Sequence, residues 1–232
     1  MVSFKKELID GDTSLVGVLG CPVNHSLSPI IHNAALTELN LNWCYIAIPC
    51  KKDDFNLVVK GLRAIDCKGL NITIPYKNIA INACNKLTPI AENTGAINTL
   101  IPDKSNSWIG SNTDIEGFLA PLQPKKDWKN KTALIIGSGG SARAVLHGLS
   151  TLEFSKIYIV GRNQVSLDNL LNEIKNKNQF LSTKLHLLLN HDVLLSQYIK
   201  ESDLIINATP VGMYSDAKAI PLGNNVWENL DS

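Results

Sequence analysis

Short apolar segments with strand spacing alternate with segments of helical spacing along almost the whole chain. The predicted strands of the first half are 14–19, 43–48 and 70–74. Between the last two lies the stripe of an amphipathic helix, with apolar residues at i, i+3, i+4 and i+7. Its members are Phe55, Val58, Val59 and Leu62. Strands that alternate with helices predict an α/β fold with a mainly parallel sheet.

The second half of the chain continues this alternation. Its predicted strands are 132–136, 156–160, 184–189 and 203–206. Two predicted helices lie among them, with apolar faces formed by Val145, Leu149 and Leu152 and by Leu167, Leu170, Leu171 and Ile174. The strand 132–136 runs directly into the glycine-rich segment 137–142, an order of elements that is typical of a Rossmann-like dinucleotide-binding unit.

The first helix has a clear start signal. Ser28 is predicted to cap it, with Pro29 at the first helical position. Ile31, Ala35 and Leu39 then continue the helix along one apolar face.

A polar segment marks the boundary between two domains. Residues 123–131 (QPKKDWKNK) are polar and charged, as an exposed approach to a new unit would be. We place the boundary between about Asp114 and Lys131 and expect a substrate-binding domain at 1–113 and a dinucleotide-binding domain at 114–232.

Composition excludes several classes of function. Lys plus Arg is 22 and Asp plus Glu is 21, so the chain lacks the basic excess expected of a nucleic-acid binder. No apolar run approaches the length of a membrane span, and the N-terminus does not resemble a secretory signal. The five cysteines are odd in number and form no CxxC pair, which favours buried thiols in a reducing cytoplasm and predicts no metal site.

The glycine turn offers a site for a diphosphate. Gly137, Gly139 and Gly140 stand between a strand and a helix, where backbone N–H groups can approach phosphate at the positive end of the helix dipole. Such turns also serve simply to join a strand to a helix. The next strand has no acid at its tip, and Arg162 there could pair with the 2′-phosphate of NADP, although a solvated arginine is the simpler alternative.

Polar residues follow the strands of the first half. The turn before the first helix carries two hydroxyls, and the strand 70–74 alternates between an apolar face (Leu70, Ile72, Ile74) and a polar one. The candidate site residues are Ser26, Ser28, Asn71, Thr73, Lys77, Asn98 and Asp114. Each also has a structural explanation: a helix cap for Ser28 or Asp114, a solvent-facing strand for the polar pair, and a surface charge for Lys77.

Seven segments together resemble the shikimate dehydrogenase family. They are GCPVNHSLSPIIHN from Gly20, GLNITIPYK from Gly69, AINT from Ala96, GSNTD from Gly110, GSGGSARA from Gly137, GRN from Gly161 and NATPVGM from Asn207. They occur in the family's order and extend from about residue 14 to 215. The ordered set is specific, although each segment alone is not.

The resemblance implies a reversible NADPH-dependent reduction of 3-dehydroshikimate to shikimate in aromatic amino-acid biosynthesis. By matched position, Ser26 and Ser28 resemble the hydroxyls that bind the substrate carboxylate, and Lys77 and Asp114 resemble the catalytic pair. The family's partners for the ring hydroxyls match Asn71, Thr73, Asn98 and Asp114. The cofactor contacts match Gly137, Ser138, Gly139, Gly140, Ser141, Gly161, Arg162, Asn163 and Met213.

The residue types suit that chemistry. A ketone that gains a hydride develops negative charge on its oxygen, which a lysine ammonium can stabilise and protonate. Asp114 could orient the lysine while bonding a neighbouring hydroxyl. His25 titrates near neutrality and is a rival proton donor, but the family's pattern assigns that role to lysine, so we expect His25 to position other groups.

The sequence departs from the family at two places. Gly161 stands where the family commonly has Asn, which removes one hydrogen bond to the 2′-phosphate, worth on the order of 1 kcal/mol. Chains of the family also continue for several dozen residues beyond the position of Ser232, so we interpret the chain as truncated relative to the family.

Two alternatives remain open. One is a quinate or dual quinate/shikimate dehydrogenase that uses NAD. The other is a truncated chain that binds dinucleotide without turnover. The expected partner is a small-molecule substrate, with neither nucleic acid nor membrane, and a homodimer is one option for the oligomeric state.

Overall fold

A computed structural model describes residues 9–123, 127–213 and 219–227. The chain divides into two compact units, Met1–Thr113 and Asp114–Ser232. Each unit combines a sheet with helices, and most strand pairs are parallel. The predicted α/β class is therefore confirmed.

The first unit contains six described strands and three described α-helices. Its strands are β1 (Ser14–Gly20), β2 (Trp43–Pro49), β3 (Gly69–Ile72), β4 (Lys86–Leu87), β5 (Thr99–Pro102) and β6 (Trp108–Ser111). Its α-helices are α1 (Ser28–Glu38), α2 (Phe55–Ala64) and α3 (Pro89–Thr94), with a short 3₁₀ helix at Ile79–Ala83. The sheet order is β2-β1-β3-β5-β6-β4, and β5 is antiparallel to both of its neighbours.

Alternating side chains of β1 feed two apolar clusters, one on each face of this sheet. Val16 and Val18 pack with Tyr45 on the face that carries α1. Leu19 packs with Phe55 on the face that carries α2. The two-residue period of a strand buried on both sides produces this arrangement.

The helix α1 differs from the sequence pattern in its N-cap and in the environment of its apolar residues. Its N-cap residue is Leu27, and Ser28 is already helical, so Ser28 caps nothing. Ile31 and Leu39 are 63% and 67% exposed, so the predicted face does not lie against the sheet. Asn33 sets the rotation of the helix instead, because its side chain exchanges two 2.8 Å hydrogen bonds with the backbone of Tyr45 on β2.

The strand β3 is shorter than predicted. Leu70 and Ile72 are buried as expected, but the strand ends at Ile72 and Ile74 is exposed. The chain turns away after Thr73, and the next buried apolar position is filled by Tyr76. The alternation of apolar residues in the sequence thus continues beyond Ile72 and does not indicate where the strand ends.

The second unit is built on a four-stranded parallel sheet in its described part. Its strands are β7 (Thr132–Ile136), β8 (Lys156–Gly161), β9 (Leu185–Leu189) and β10 (Leu204–Asn207). Its helices are α4 (Asp114–Leu119), α5 (Gly140–Thr151), α6 (Gln164–Lys177), α7 (Gln179–Ser182), α8 (Leu195–Lys200) and α9 (Asn224–Trp227). The strand order is β10-β7-β8-β9.

Helices cover both faces of this sheet. Ala133 and Ile135 pack in a cluster with residues of α5 and α6, and Leu134 and Ile136 pack in a second cluster with residues of α8 and α9. β8 and β9 continue the sheet on one side of β7, while β10 lies on its other side. The chain order therefore reverses between β7 and β10, which is where open parallel sheets bind ligands.

The described residues contain no helix that is long and apolar enough to cross a bilayer. Within the same part of the chain, no cluster of His, Cys, Asp and Glu has the composition of a metal site. All five cysteines lie in the described residues, and each is a free thiol. The predicted burial is confirmed only for Cys50 and Cys67, and Cys21 is exposed.

Candidate active site

The candidate substrate residues of the first unit gather at one edge of its sheet. The parallel strands β1 and β3 both end there, at Gly20 and Ile72. Because β5 is antiparallel to β3, it begins at that edge, with Thr99 opposite Asn71. β6 runs back and ends at the same edge, with Ser111 opposite Thr99. The loops that carry the sequence motifs are therefore neighbours in this unit.

Backbone hydrogen bonds tie two of these loops together. The amide of Thr73 donates to the carbonyl of Leu19 (3.0 Å), and the amide of Cys21 donates to the carbonyl of Ile74 (2.9 Å). Gly20 is required between them, because a Cβ there would come within 2.4 Å of the Thr73 side chain. The loop 21–28, which carries both candidate serines, thus leaves the sheet beside Thr73.

The hydroxyl of Ser26 has a local partner. Its Oγ accepts a hydrogen bond from the amide of Ser28 (3.2 Å) and so helps to shape the turn before α1. Ser28 is half-buried and lies near the phenol of Tyr45. His25, in the same loop, is exposed.

Tyr45 contacts a candidate site residue and was not singled out from the sequence. Its Oη donates a 2.6 Å hydrogen bond to Oδ1 of Asn71, and its ring stacks on His32 with centroids 4.2 Å apart. Burial raises the pKa of Tyr45 to about 12, with the Ser28 hydroxyl acting in the opposite direction. The phenol is therefore a neutral donor that fixes the Asn71 amide. Only the strand pairing brings these positions together, so no local signal reveals them.

Lys77 is fixed at the same edge by its backbone. Its carbonyl accepts a 2.7 Å hydrogen bond from the amide of Ile97, and Tyr76 beside it is buried. The side chain of Lys77 is half-buried rather than fully exposed. This hydrogen bond also places Lys77 next to the segment that contains Asn98.

Asn98 organises the end of β6. Its Oδ1 accepts from the amide of Thr113 (3.0 Å), and its Nδ2 donates to Oγ1 of the same residue (2.9 Å). Thr113 is the last residue of the first unit, and Asp114, the first residue of α4, follows it in the second. Thr113 is a further residue that the sequence analysis did not single out.

The glycine turn of the second unit follows β7 at the end of the sheet where the strand order reverses. Gly137 has a φ of +118°, and a Cβ there would lie 2.9 Å from the carbonyl oxygen of Ala208. Gly139 is the N-cap residue of α5, and a Cβ there would meet nothing within 4 Å. The first glycine is thus required by the close approach of β10, whereas the space beside the second is open.

Arg143 holds this turn in place. Its Nη1 donates to the carbonyl of Ser138 (3.0 Å), while Nε and Nη2 donate to Oε2 of Glu173 (3.0 and 2.7 Å). Arg143 belongs to the GSGGSARA motif, but the sequence pattern gave it no role. Its partner Glu173 lies 30 positions away on α6, so no local signal reveals the pair.

The tip of β8 carries Arg162 and no acid. Arg162 is exposed, and Asn163 caps α6 by accepting a hydrogen bond from the amide of Ser166 (3.2 Å). Gly161 packs closely on the helix, since a Cβ there would lie 2.8 Å from Leu167 Cδ2. An asparagine at position 161 would therefore require Leu167 to move.

The segment after β10 forms a compact turn. Oδ1 of Asn207 accepts from the amide and hydroxyl of Thr209, and Gly212 adopts a φ of +89°. Met213, at the end of the described turn, is 45% exposed. The carboxyl ends of β7, β8 and β10 therefore carry the glycine turn, Arg162 and this turn at one edge of the second sheet.

Comparisons with known proteins cover both units. Residues 18–100 match the model of the shikimate dehydrogenase substrate binding domain, and residues 121–218 match that of shikimate / quinate 5-dehydrogenase. A shikimate dehydrogenase (NADP(+)) from Prochlorococcus marinus is 46% identical over 227 residues, covering 97% of this chain and 78% of the relative.

Solved structures agree with these matches. A shikimate dehydrogenase in complex with NADP⁺ is 32% identical with a TM-score of 0.79, covering 92% of this chain and 72% of the other. The enzyme from Thermus thermophilus, in complex with NADP(H) and shikimate, is 30% identical with a TM-score of 0.74, covering 92% and 74%. The chain belongs to the shikimate dehydrogenase family.

Proposed function

We propose that this protein catalyses the reversible NADP-dependent reduction of 3-dehydroshikimate to shikimate. The observation that carries the proposal is that six polar residues lie at one sheet edge of the first unit. They are Ser26, Ser28, Asn71, Thr73, Lys77 and Asn98. The first unit binds the substrate, and the second binds the dinucleotide. The family membership supports this division of roles.

The polar groups at this edge match a hydroxylated carboxylate. The hydroxyls of Ser26 and Ser28 bind the carboxylate of the substrate. Asn71 and Thr73, on β3 and just after it, bind ring hydroxyls, and the Tyr45 phenol orients the Asn71 amide for that contact. Asn98 adds a further amide, held by its two hydrogen bonds with Thr113.

The second unit suits a dinucleotide phosphate. The open space beside Gly139 lets an anion approach the backbone N–H groups of Gly140 and Ser141 at the start of α5. Gly137 and Ser138 shape the turn, and Met213 lies on the turn after the neighbouring strand. Arg162, with Gly161 and Asn163 beside it, faces solvent at the tip of β8 with no acid that would repel a 2′-phosphate. These features favour NADP over NAD.

Lys77 and Asp114 form the proposed catalytic pair. When bound, the dinucleotide supplies or accepts the hydride. The ammonium of Lys77 stabilises the negative charge that develops on the ketone oxygen and donates the proton that completes the hydroxyl; in the reverse direction, its amine accepts that proton. The carboxylate of Asp114 accepts a hydrogen bond from the neighbouring substrate hydroxyl.

A cytoplasmic location and a homodimer complete the proposal. The free thiols of the described residues support a reducing compartment. Sedimentation at several protein concentrations tests whether the protein forms a homodimer. A monomer at every concentration would remove it.

Initial rates with four combinations of substrate and cofactor test the activity. We expect the highest kcat/KM with shikimate and NADP⁺, and lower values with quinate or NAD⁺. Replacing Arg162 with Ser should raise KM for NADP⁺ about tenfold, because one charge-assisted phosphate contact is lost, and leave KM for NAD⁺ unchanged. A preference for quinate with NAD⁺, or NADP⁺ binding without any turnover, would contradict the proposal and favour one of the two alternatives.

A further inference from the structure

The first unit contains a polar cavity that lies away from the sheet edge with the candidate substrate residues. Its volume is about 270 Å³, near the lower end of the range for small-molecule clefts. Its lining includes Lys60, Arg63, Trp108 and four asparagines. The strands β5 and β6 run from Thr99 and Ser111 at the substrate edge to Pro102 and Trp108 at their other ends. The cavity therefore lies at the opposite end of this hairpin.

The charge of the lining is one-sided. Lys60 and Arg63, one helical turn apart on α2, supply two cations, and none of the lining residues is an acid. The nearby carboxylate of Asp103 is already bonded to Lys86 and Ser105. An anion in the cavity would meet Lys60 and a guanidinium that already pairs with Asp66, and no carboxylate belongs to the lining itself.

Arg63 is held in one orientation at this cavity. Its Nη1 pairs with Asp66 (3.2 Å), its Nη2 donates to the carbonyl of Asp103 (3.4 Å), and its guanidinium lies 5.8 Å from the ring centroid of Trp108. The side chain is only 13% exposed, and its buried Nε finds no hydrogen-bond partner among the described residues. A buried donor without a partner costs free energy, which a small tilt of the guanidinium toward a bound anion would recover.

The remaining lining groups suit a ligand that also carries hydroxyls. The side chains of Asn56, Asn82, Asn85 and Asn106 are exposed and make no hydrogen bond with any residue that the structure describes. An amide both donates and accepts, so each can bond a hydroxyl group. The buried ring of Trp108, fixed by a 3.1 Å hydrogen bond from Nε1 to the carbonyl of Val59, forms an apolar wall.

We propose that this cavity binds a small hydroxylated oxyanion, with Lys60 and Arg63 binding the anionic group and the asparagine amides binding the hydroxyls. The anionic group is a phosphate ester or a carboxylate, which share this recognition chemistry. The site is separate from the proposed substrate and dinucleotide sites, so its occupancy does not depend on the proposed activity.

Titration of the full chain with glycerol 3-phosphate, glycerate and glycerol tests the proposal. The assigned indole N–H signal of Trp108 in ¹⁵N NMR spectra reports on this cavity alone among the sites discussed. We expect a saturable shift with at least one of the two anions at millimolar concentration, and none with neutral glycerol. The anion that binds with the lower Kd identifies the phosphate or the carboxylate as the preferred group.

Variants of the two cations complete the test. Lys60→Gln changes an exposed side chain and should weaken anion binding about tenfold, since one charge-assisted contact is lost. Arg63→Gln should weaken it at least as much, whereas Lys104→Gln, an exposed lysine outside the cavity lining, should leave it unchanged. No saturable shift with either anion, or equal affinities for the wild type and Lys60→Gln, would overturn the proposal.

Discussion

Tyr45 and Asn71 come from strands that lie on either side of β1, yet their side chains meet at 2.6 Å. A phenol with a pKa of about 12 stays protonated at neutral pH and keeps the Asn71 carbonyl oxygen engaged. The Asn71 Nδ2 group is then oriented for a substrate hydroxyl. Tyr45 is thus a positioning residue in the proposed site.

Removing the Tyr45 hydroxyl should weaken substrate binding with little effect on folding. Tyr45→Phe keeps the ring that stacks on His32 but loses the hydrogen bond to Asn71. We expect KM for shikimate to rise about fivefold, which corresponds to the roughly 1 kcal/mol of one hydrogen bond, while kcat changes little. Tyr198→Phe in the second unit is a matched control that should leave KM unchanged. An unaltered KM in Tyr45→Phe would remove the phenol from substrate recognition.

Lys77 is the residue on which the proposed proton transfer depends. Lys77→Ala should lower kcat by about a hundredfold or more and change KM for shikimate far less, because general acid–base assistance acts chiefly in the transition state. Steady-state kinetics measure both constants, with the exposed Lys104→Ala as a control. If kcat were unchanged, Lys77 would have no part in the chemistry.

At the scale of elements, two glycines in the turn between β7 and α5 have different roles. Gly137 has a left-handed φ and lies against the carbonyl of Ala208, so its role is conformational. Gly139 borders open space at the N-terminus of α5, so its role is to admit a ligand. Arg143 fixes the turn from within the helix by its bond to Ser138.

Alanine substitutions should separate these two roles. Gly137→Ala should lower Tm, since a strained φ costs about 1–3 kcal/mol and the Cβ meets backbone. Gly139→Ala should leave Tm nearly unchanged but weaken NADP⁺ binding about tenfold, because its Cβ occupies the space where phosphate approaches. Thermal unfolding and calorimetric titration measure the two effects. Equal losses of stability in both variants would contradict this division.

The helix α1 shows what limits prediction of elements from sequence. Its position follows from the Ser-Pro signal and the apolar residues after it, but its buried side does not. Asn33, a polar residue, turns toward the sheet to bond Tyr45, and Ile31 and Leu39 are left exposed. Strands β4, β5 and β6 were not predicted from the sequence, and β4, with two residues, is too short to display a period.

At the scale of the whole molecule, each unit has its own apolar clusters and its own candidate ligand. The clusters built around Leu19 and Val16 belong to the first unit, and those around Ile135 and Leu134 belong to the second. Each unit therefore has its own core, which holds the loops at one edge of its sheet. We expect the effects of substrate binding and of dinucleotide binding to appear in different parts of the chain.

Hydrogen exchange measured by mass spectrometry should reveal this separation. NADP⁺ alone should protect peptides that contain Gly139 and Arg162, and shikimate alone should protect peptides that contain Ser26, Asn71 and Asn98. Bound ligand slows the local opening through which amides exchange. Peptides from α8, which belongs to no proposed site, serve as an internal control for both ligands. Protection by NADP⁺ confined to the first unit would contradict the assignment of the dinucleotide to the second.

The sequence by itself determined the α/β class, the family, and the longer strands to within one or two residues, because strand period, glycine turns and motif order are local properties of the chain. Tertiary structure alone decided which side of α1 is buried, which glycine needs its conformation, and that Tyr45, Asn33, Arg143 and Thr113 support the candidate site. These side chains meet partners between 5 and 30 positions away or on another strand. Such contacts depend on sheet order and register, which no local pattern encodes.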